Sequence, residues 1–439
     1  MARYARKFCP LIGEVAADHV QHGQPDTARL DLNEDLIAAG RPNLERLPYG
    51  IDPPLDDSVA VLHRRASRRA VGSARVRHRS RARRSAAATY HSSPMPSSKP
   101  RVFVLQPVPG EAIARLRRIA TVDVFPRRDR TITRDELIAG VDGCEYLWAL
   151  GEIPVDGEVM DAGPLRFIAI MEILSRAVDV EAATQRGIPV SSLPNLEVIT
   201  TSTAEHTLAL ILALARRLRD AERLIRAGKW RQYQSEALLG TLLEGKVLGI
   251  VGLGNVGRKV ARRAQAMEMG ITYTDRSRLD EATERALGVE WRALDDLLRE
   301  ADLVVLTATL TASSVGLIDA RRLALMKPSA LLVNTSRGRI VDEAALVEAL
   351  AGKVIAGAAL DVFETEPPIA GGGPRAELLG MENVLLTPHL GTATHEARST
   401  MAASIVSDLS DAIAGRRPAT VINPEVYGEP PSVAPERIG

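Results

Sequence analysis

The sequence predicts an α/β fold of two doubly wound parallel-sheet domains, and three observations carry that prediction. Short apolar runs alternate with helical patterns over residues 101–190, and the same rhythm returns over residues 247–386. Between them, the run at 247–251 ends in three glycines spaced G-x-G-x-x-G and opens into a helical pattern at 258–267. Parallel strands need crossover connections, usually a helix, so a βα alternation kept up over two stretches reads as two parallel sheets.

Composition bounds the reading before any motif does. At 439 residues the chain is long enough for two or three domains. A net charge of +1 suggests no polyanionic partner, but the charge is unevenly placed, since residues 64–84 hold ten arginines and no acid. Cys9 and Cys144 provide neither a disulfide framework nor a metal-ligand spacing, so no metal is expected. No apolar run reaches the roughly 18 residues of a membrane span. The N-terminus also lacks the apolar core of a secretory signal. The default expectation is a reducing, cytoplasmic setting without a membrane.

Residues 1–98 differ from the rest. They lack sustained periodicity, positions 58–110 contain no Asp or Glu, and the arginines lead into Ser92-Ser-Pro-Met-Pro-Ser-Ser98. Such a composition buries too little apolar surface to offset chain entropy, so a disordered basic extension is expected. It reads as an arm for nucleic acid, as a targeting peptide set sixty residues from its usual place at the extreme N-terminus, or as a translation artefact or dispensable tail, the functional chain starting at Met95. The last reading is the simplest. No aromatics are interleaved with the arginines and no folded reader adjoins them, so nucleic acid is not the expected partner.

Order begins at Arg101-Val-Phe-Val-Leu105, before a helical stretch at 111–119. Strand-like runs at 121–125, 146–150, 165–170 and 188–190, with helical patterns at 134–139 and 179–186, complete a first domain over 99–200. Thr201-Ser-Thr-Ala-Glu205 reads as a capping stretch for a long helix through Arg219. Its residues 208–215 are apolar enough to be buried on all sides. His206 reads as a packed histidine because no partner is evident, with a general base as the sharper alternative. Trp230 reads as a core aromatic.

The glycine-centred stretch has a mechanical reading. Gly252 allows a tight turn, and Gly254 lets the backbone approach a pyrophosphate. Gly257 lets the helix pack closely, so that its N-terminal N–H groups face the phosphates. A second run at 271–274 ends in Asp275, where a carboxylate can accept hydrogen bonds from an adenosine ribose. This order predicts a dinucleotide-binding Rossmann domain over 201–392. Its βα rhythm continues through runs at 303–306, 330–333, 354–360 and 384–386. The last three end in Asn334-Thr-Ser-Arg-Gly338, Asp361 and Thr387-Pro-His389. Ligands of such sheets bind beyond the carboxyl ends of the strands, so Arg337, Asp361 and His389 should face one crevice with the glycine loop. Residues 393–428, with a helix at 396–414, should return to the first domain, leaving 429–439 as a tail.

Gly252-Leu-Gly-Asn-Val-Gly257, Asn334-Thr-Ser-Arg-Gly338, Asp361-Val-Phe-Glu-Thr-Glu-Pro367 and Thr387-Pro-His-Leu-Gly391 resemble, in order and spacing, the motifs of D-isomer-specific 2-hydroxyacid dehydrogenases. Ala204-Glu-His-Thr207, Met326-Lys-Pro328 and Asn423-Pro-Glu-Val426 fit as well, and the resemblance covers residues 101–428. It implies a Rossmann domain inserted in a flavodoxin-like substrate domain, hydride transfer between NAD(H) and a 2-hydroxy or 2-oxo acid, and a homodimer. It implies that Arg337 binds the substrate's carboxylate and carbonyl oxygen through a planar fork that lysine would not replace. His389 resembles the general acid for reduction. Glu366, favoured over Glu364, resembles the partner that orients His389 and raises its pKa. Cofactor contacts are implied at Gly252, Gly254, Asn255, Val256, Gly257, Asp275, Arg276, Thr307, Thr309, Thr335, Ser336, Asp361 and Gly391.

Asp275 favours NAD over NADP, although Arg276 and Arg278 follow it and could hold a 2′-phosphate. The resemblance thins in the first domain. Family members carry a Gly-x-Gly-x-Asp loop where this chain has Ile170-Met-Glu-Ile-Leu-Ser-Arg176, and Glu152 and Glu172 would repel a second substrate carboxylate unless Arg176 neutralises one. A different or bulkier substrate, or weak activity on simple 2-oxo acids, is the expectation. Two alternatives stand beside it: a glyoxylate/hydroxypyruvate-type reductase using NADPH, and a nicotinamide-sensing interaction module of the same fold. The end of the matched motifs at Val426 argues against relatives with a C-terminal regulatory domain.

Overall fold

The computed structural model describes residues 98–150, 153–173, 177–232, 236–366 and 372–429, all within one compact unit spanning 88–439. The basic extension up to residue 97, Glu152 and Arg176 of the expected substrate loops, and the tail beyond Glu429 lie outside the described residues.

The first sheet consists of β1 (Arg101–Val104), β2 (Thr121–Val124), β3 (Tyr146–Ala149), β4 (Phe167–Ile170) and β5 (Val190–Ser192). All are parallel, in the order β2-β1-β3-β4-β5. The second sheet takes β6 (Val247–Val251), β7 (Gly270–Thr274), β8 (Glu290–Trp291), β9 (Leu303–Leu306), β10 (Leu331–Asn334), β11 (Gly357–Leu360) and β12 (Val384–Leu386). These are also parallel, in the order β12-β11-β10-β9-β6-β7-β8. Every residue of β3, β4, β9, β10 and β11 is buried, as expected of parallel strands covered by helices on both faces. One face of the second sheet packs Leu297, Leu323, Leu346 and Leu350, and the other packs Leu208, Ile211, Val260 and Ala264. The strand expected at 354–360 starts only at Gly357, and β8 has no counterpart among the expected runs because two residues are too short to show a period.

Two long helices join the sheets. The helix Glu197–Ala215 begins ahead of the expected capping stretch. Its hydroxyls have other partners instead: Thr203 Oγ1 donates to Ile199 O within the helix at 2.8 Å, and Ser202 Oγ donates to the distant carbonyl of Gly391 at 2.8 Å. The helix stops at Ala215 rather than running to Arg219. Arg217 adopts a left-handed φ of 53°, and a separate helix, Leu218–Arg226, follows. Glu197–Ala215 is long and apolar enough to cross a membrane, the one such helix among the described residues, yet Ile199, Leu210 and Ile211 are packed in the interior. It is not buried on all sides, since Ala209 and Leu212 are exposed. Trp230 is no core aromatic either, being 56% exposed.

The helix His395–Ile413 returns to the first sheet and inserts Met401, Ile405 and Leu409 into its core. Beyond it, Asn423 stitches the chain to β5. Its Oδ1 accepts the Val190 N–H at 2.7 Å, and its Nδ2 donates to Ile188 O at 2.9 Å.

Candidate active site

The carboxyl ends of the second sheet carry the glycine loop, Asp275, Arg337, Asp361 and His389, whereas residues 204–207 lie in the helix Glu197–Ala215, 326–328 precede β10 and 423–426 follow the helix His395–Ile413. At β6 the chain turns through Gly252, whose φ of 94° is costly for other residues; a Cβ there would also lie 2.6 Å from the Ala308 backbone. Thr307, at the end of β9, donates its hydroxyl to Gly252 O at 2.6 Å and so holds the turn from below. Above Gly254 the space is open, with no atom within 4 Å of a built Cβ. The helix Asn255–Gln265 starts there with no side-chain cap and no acid in its first turn. Its unspent N–H groups and positive dipole end suit a pyrophosphate. Asp275, after β7, accepts the Leu253 N–H at 2.8 Å, which sets its carboxylate beside the glycine loop. Arg276 is exposed, whereas Arg278 is held by Glu284 at 2.9 Å and lies 5.7 Å over the Trp291 ring. Thr309 O accepts the Ser314 hydroxyl. Thr335 and Ser336 are buried, with their hydroxyls bonded to Thr207 and Asn334.

Arg337 projects from the end of β10 and is exposed. Its Nη1 donates to Ser336 O at 2.8 Å, and among the described residues no carboxylate lies within ion-pair distance of it. A planar cation at a strand end without an anion is prepared for a carboxylate from outside. Gly338, next in the chain, is in tight contact with its neighbour, since a Cβ there would lie 1.8 Å from the carbonyl of Phe363.

His389 follows β12 with a left-handed φ of 54°, a strained conformation for a residue other than glycine. Asp361 holds it there. The Asp361 carbonyl accepts the His389 N–H at 2.9 Å, and its two carboxylate oxygens accept the N–H groups of Leu390 and Gly391 at 2.7 and 3.0 Å. The same carboxylate takes His206 Nε2 at 3.0 Å and the Thr387 hydroxyl at 2.6 Å. Burial pushes the Asp361 carboxyl up, but the bonds from His206, Thr387 and Leu390 outweigh it and hold it below the usual carboxylate range. His206, expected without a partner, therefore has two, because Thr387 Oγ1 also lies 3.2 Å from its Nε2.

His389 Nδ1 meets Glu366 Oε2 at 2.8 Å, while Glu366 Oε1 accepts the Phe363 N–H at 2.7 Å. The Glu366 carboxylate raises His389 above the ordinary histidine value, against burial and the nearby positive charge of Arg337. Glu364 does not approach the ring; its N–H instead donates to Glu343.

A family model for the D-isomer specific 2-hydroxyacid dehydrogenase NAD binding domain matches residues 208–391. The glyoxylate reductase of Pyrococcus furiosus is 40% identical over 333 residues, covering 75% of this chain and 96% of the relative. That of Thermococcus kodakarensis is 41% identical, covering 75% and 97%. The chain belongs to the D-isomer-specific 2-hydroxyacid dehydrogenase family. Solved structures agree. The TT0316 protein of Thermus thermophilus matches with a TM-score of 0.66 at 39% identity, covering 73% of this chain and 99% of that one. The NADPH-dependent glyoxylate/hydroxypyruvate reductase of Sinorhizobium meliloti, solved with NADP and malonate, matches with a TM-score of 0.60 at 31% identity, covering 74% and 97%. As a 2-hydroxyacid dehydrogenase, this chain is an oxidoreductase that passes a hydride between NAD(H) and a 2-oxo/2-hydroxy acid pair.

In this dehydrogenase, sequence reasoning left Thr387 without a role of its own and His206 without a partner. The His206–Asp361 contact spans 155 positions, and the motif spacing alone could not pair them.

Proposed function

We propose that the chain reduces a short 2-oxo acid with NADH, with Arg337 as carboxylate anchor and His389–Glu366 as acid/base pair. The observation that carries the reading is the pairing of a carboxylate-free Arg337 with a His389 held by Glu366 at 2.8 Å, both beyond the carboxyl ends of one sheet. When bound, NADH supplies the hydride. Arg337 orients the acid by its carboxylate and polarises the carbonyl oxygen, so that negative charge developing there is met by a fixed cation. As the C=O π bond opens and the carbon takes the hydride, the oxygen takes a proton from His389 Nε2, because Nδ1 is engaged by Glu366. In the oxidative direction the same nitrogen receives the proton.

In this reading the glycine loop from Gly252 to Gly257, Asp275 and the backbone around Thr307, Thr309, Thr335, Ser336 and Gly391 would hold the cofactor, and Asp361 would contact its nicotinamide or the attached ribose. NADH is favoured over NADPH because Asp275 repels a 2′-phosphate and Arg278 is already engaged by Glu284, leaving Arg276 alone to attract it. Glyoxylate leads the list of substrates, because the relatives in the 40% range are named glyoxylate reductases.

A homodimer is part of the same reading. Leu218 and Ile225 share a face of the helix Leu218–Arg226 and are 54% and 55% exposed, with exposed Leu212, Trp230, Leu239 and Leu242 on the segments around it. Such an apolar surface suits a second copy of the chain. The buried free thiol of Cys144 and the use of NADH suit a cytoplasmic setting.

Steady-state rates on a panel of 2-oxo acids of increasing bulk, with NADH and with NADPH, test the proposal. The expected result is turnover of glyoxylate or a near homologue with a clear preference for NADH. Turnover with NADPH alone, or none on any 2-oxo acid, would contradict it.

A further inference from the structure

Glu343 is a carboxylic acid in an unexpected place. It opens the helix Glu343–Ala351, immediately after the cap Asp342, and is only 2% exposed. Among the described residues no cation lies within ion-pair distance of it. Instead its Oε1 accepts the N–H of Glu364 at 2.5 Å. Burial pushes the group above the usual carboxylate range, with Glu364 and Arg375 as the charged side chains nearby. Burying a carboxyl is costly, and leucine would serve the packing of this helix better. What leucine cannot do is accept the Glu364 N–H.

That N–H lies two residues before Glu366. The Phe363 N–H is bonded to Glu366 itself, and the Thr365 carbonyl accepts the Gly373 N–H at 2.7 Å. The backbone of Gly338 also presses against Phe363 and leaves no space for a side chain. Residues 363–364 are therefore held by both Gly338 and Glu343, which belong to the stretch that begins at Arg337.

We infer that Glu343 is a positioning residue of the reaction: it fixes the 363–366 segment so that Glu366 stays on His389 Nδ1, and it ties that acid/base arm to the arm carrying Arg337. The inference rests on the reading of His389–Glu366 as the acid/base pair. The charged groups facing His389 are Glu366, Arg337 and Asp361. Of these, Glu366 is the one Glu343 holds through the 363–366 segment.

The test is the pH dependence of kcat/KM for NADH-driven glyoxylate reduction in the wild type, Glu343→Gln, Glu343→Leu and Glu366→Gln, alongside NADH affinity by fluorescence. Reduction needs protonated His389, so activity falls as pH rises through its pKa. Losing the Glu366 contact lowers that pKa, and Glu366→Gln should move the falling limb to lower pH. Glu343→Gln offers the Glu364 N–H an amide oxygen, a weaker acceptor than the carboxylate it replaces. It should move the limb the same way by less, with kcat reduced roughly ten-fold by misplacement and NADH affinity unchanged. Glu343→Leu should move it further, and if that variant fails to fold, the glutamine variant decides. A uniform loss of rate with the limb unmoved would overturn the inference and leave Glu343 a structural residue. If Glu366→Gln itself leaves the limb in place, the acid/base reading fails and the inference with it.

Discussion

Arg337 and His389 differ in how they are held, and the difference predicts how each tolerates change. Arg337 has an exposed guanidinium whose partner among the described residues is the Ser336 carbonyl, so replacing it should alter recognition far more than folding. Arg337→Lys keeps the charge but loses the fork. A fall in kcat/KM of roughly 100-fold, with NADH affinity and melting temperature unchanged, is expected from steady-state kinetics and calorimetry. Gly338 is the opposite case. Gly338→Ala drives a methyl group into the Phe363 carbonyl and should lower both the melting temperature and the rate, because the same backbone positions Glu366. These two residues are adjacent in the sequence, and only the arginine announces its role there. The contact that makes the glycine necessary lies beyond the next strand.

At the scale of elements, the loop after β12 and the helix Glu197–Ala215 are joined through Asp361. Removing its carboxylate takes the acceptors from the N–H groups of Leu390 and Gly391, and for the buried Gly391 that is a loss of about 1–3 kcal/mol. The folded state holds the Asp361 carboxyl below its ordinary value, so this stabilisation is complete above the unfolded carboxylate pKa and is lost as pH falls through the folded one. Asp361→Asn should therefore melt well below wild type near neutral pH, with the gap narrowing in acid. A gap independent of pH would refute that linkage. Local signals in the sequence served well where partners are near neighbours: strand, glycines, helix and Asp275 all lie within one short stretch. They served poorly where partners are distant. Ser202 and Thr203 look like helix caps, yet both hydroxyls reach the Gly391 carbonyl, which the sequence places far away. His206 lacked a visible partner for the same reason. Glu343 escaped notice because an acid in the first turn of a helix is what the helix dipole favours in any case.

For the whole molecule, the parallel order of the second sheet brings the ends of β6, β7, β9, β10, β11 and β12 to one edge, which is why widely separated motifs converge. Trp230 was read as a core residue because nothing in one chain's sequence tells whether an aromatic is covered by its own fold or by a second copy. On the dimer reading, Leu218→Glu with Ile225→Glu should shift the sedimenting mass from twice 47.4 kDa to 47.4 kDa. A wild type that already sediments at 47.4 kDa would contradict it. The most direct test of the central claim is to measure NADH binding and glyoxylate turnover together in the wild type, Arg337→Ala and His389→Ala. The account predicts NADH binding of equal strength in all three proteins and turnover in the wild type alone. Turnover surviving in either variant at the wild-type rate would contradict the assignment of carboxylate anchor or proton donor to that residue.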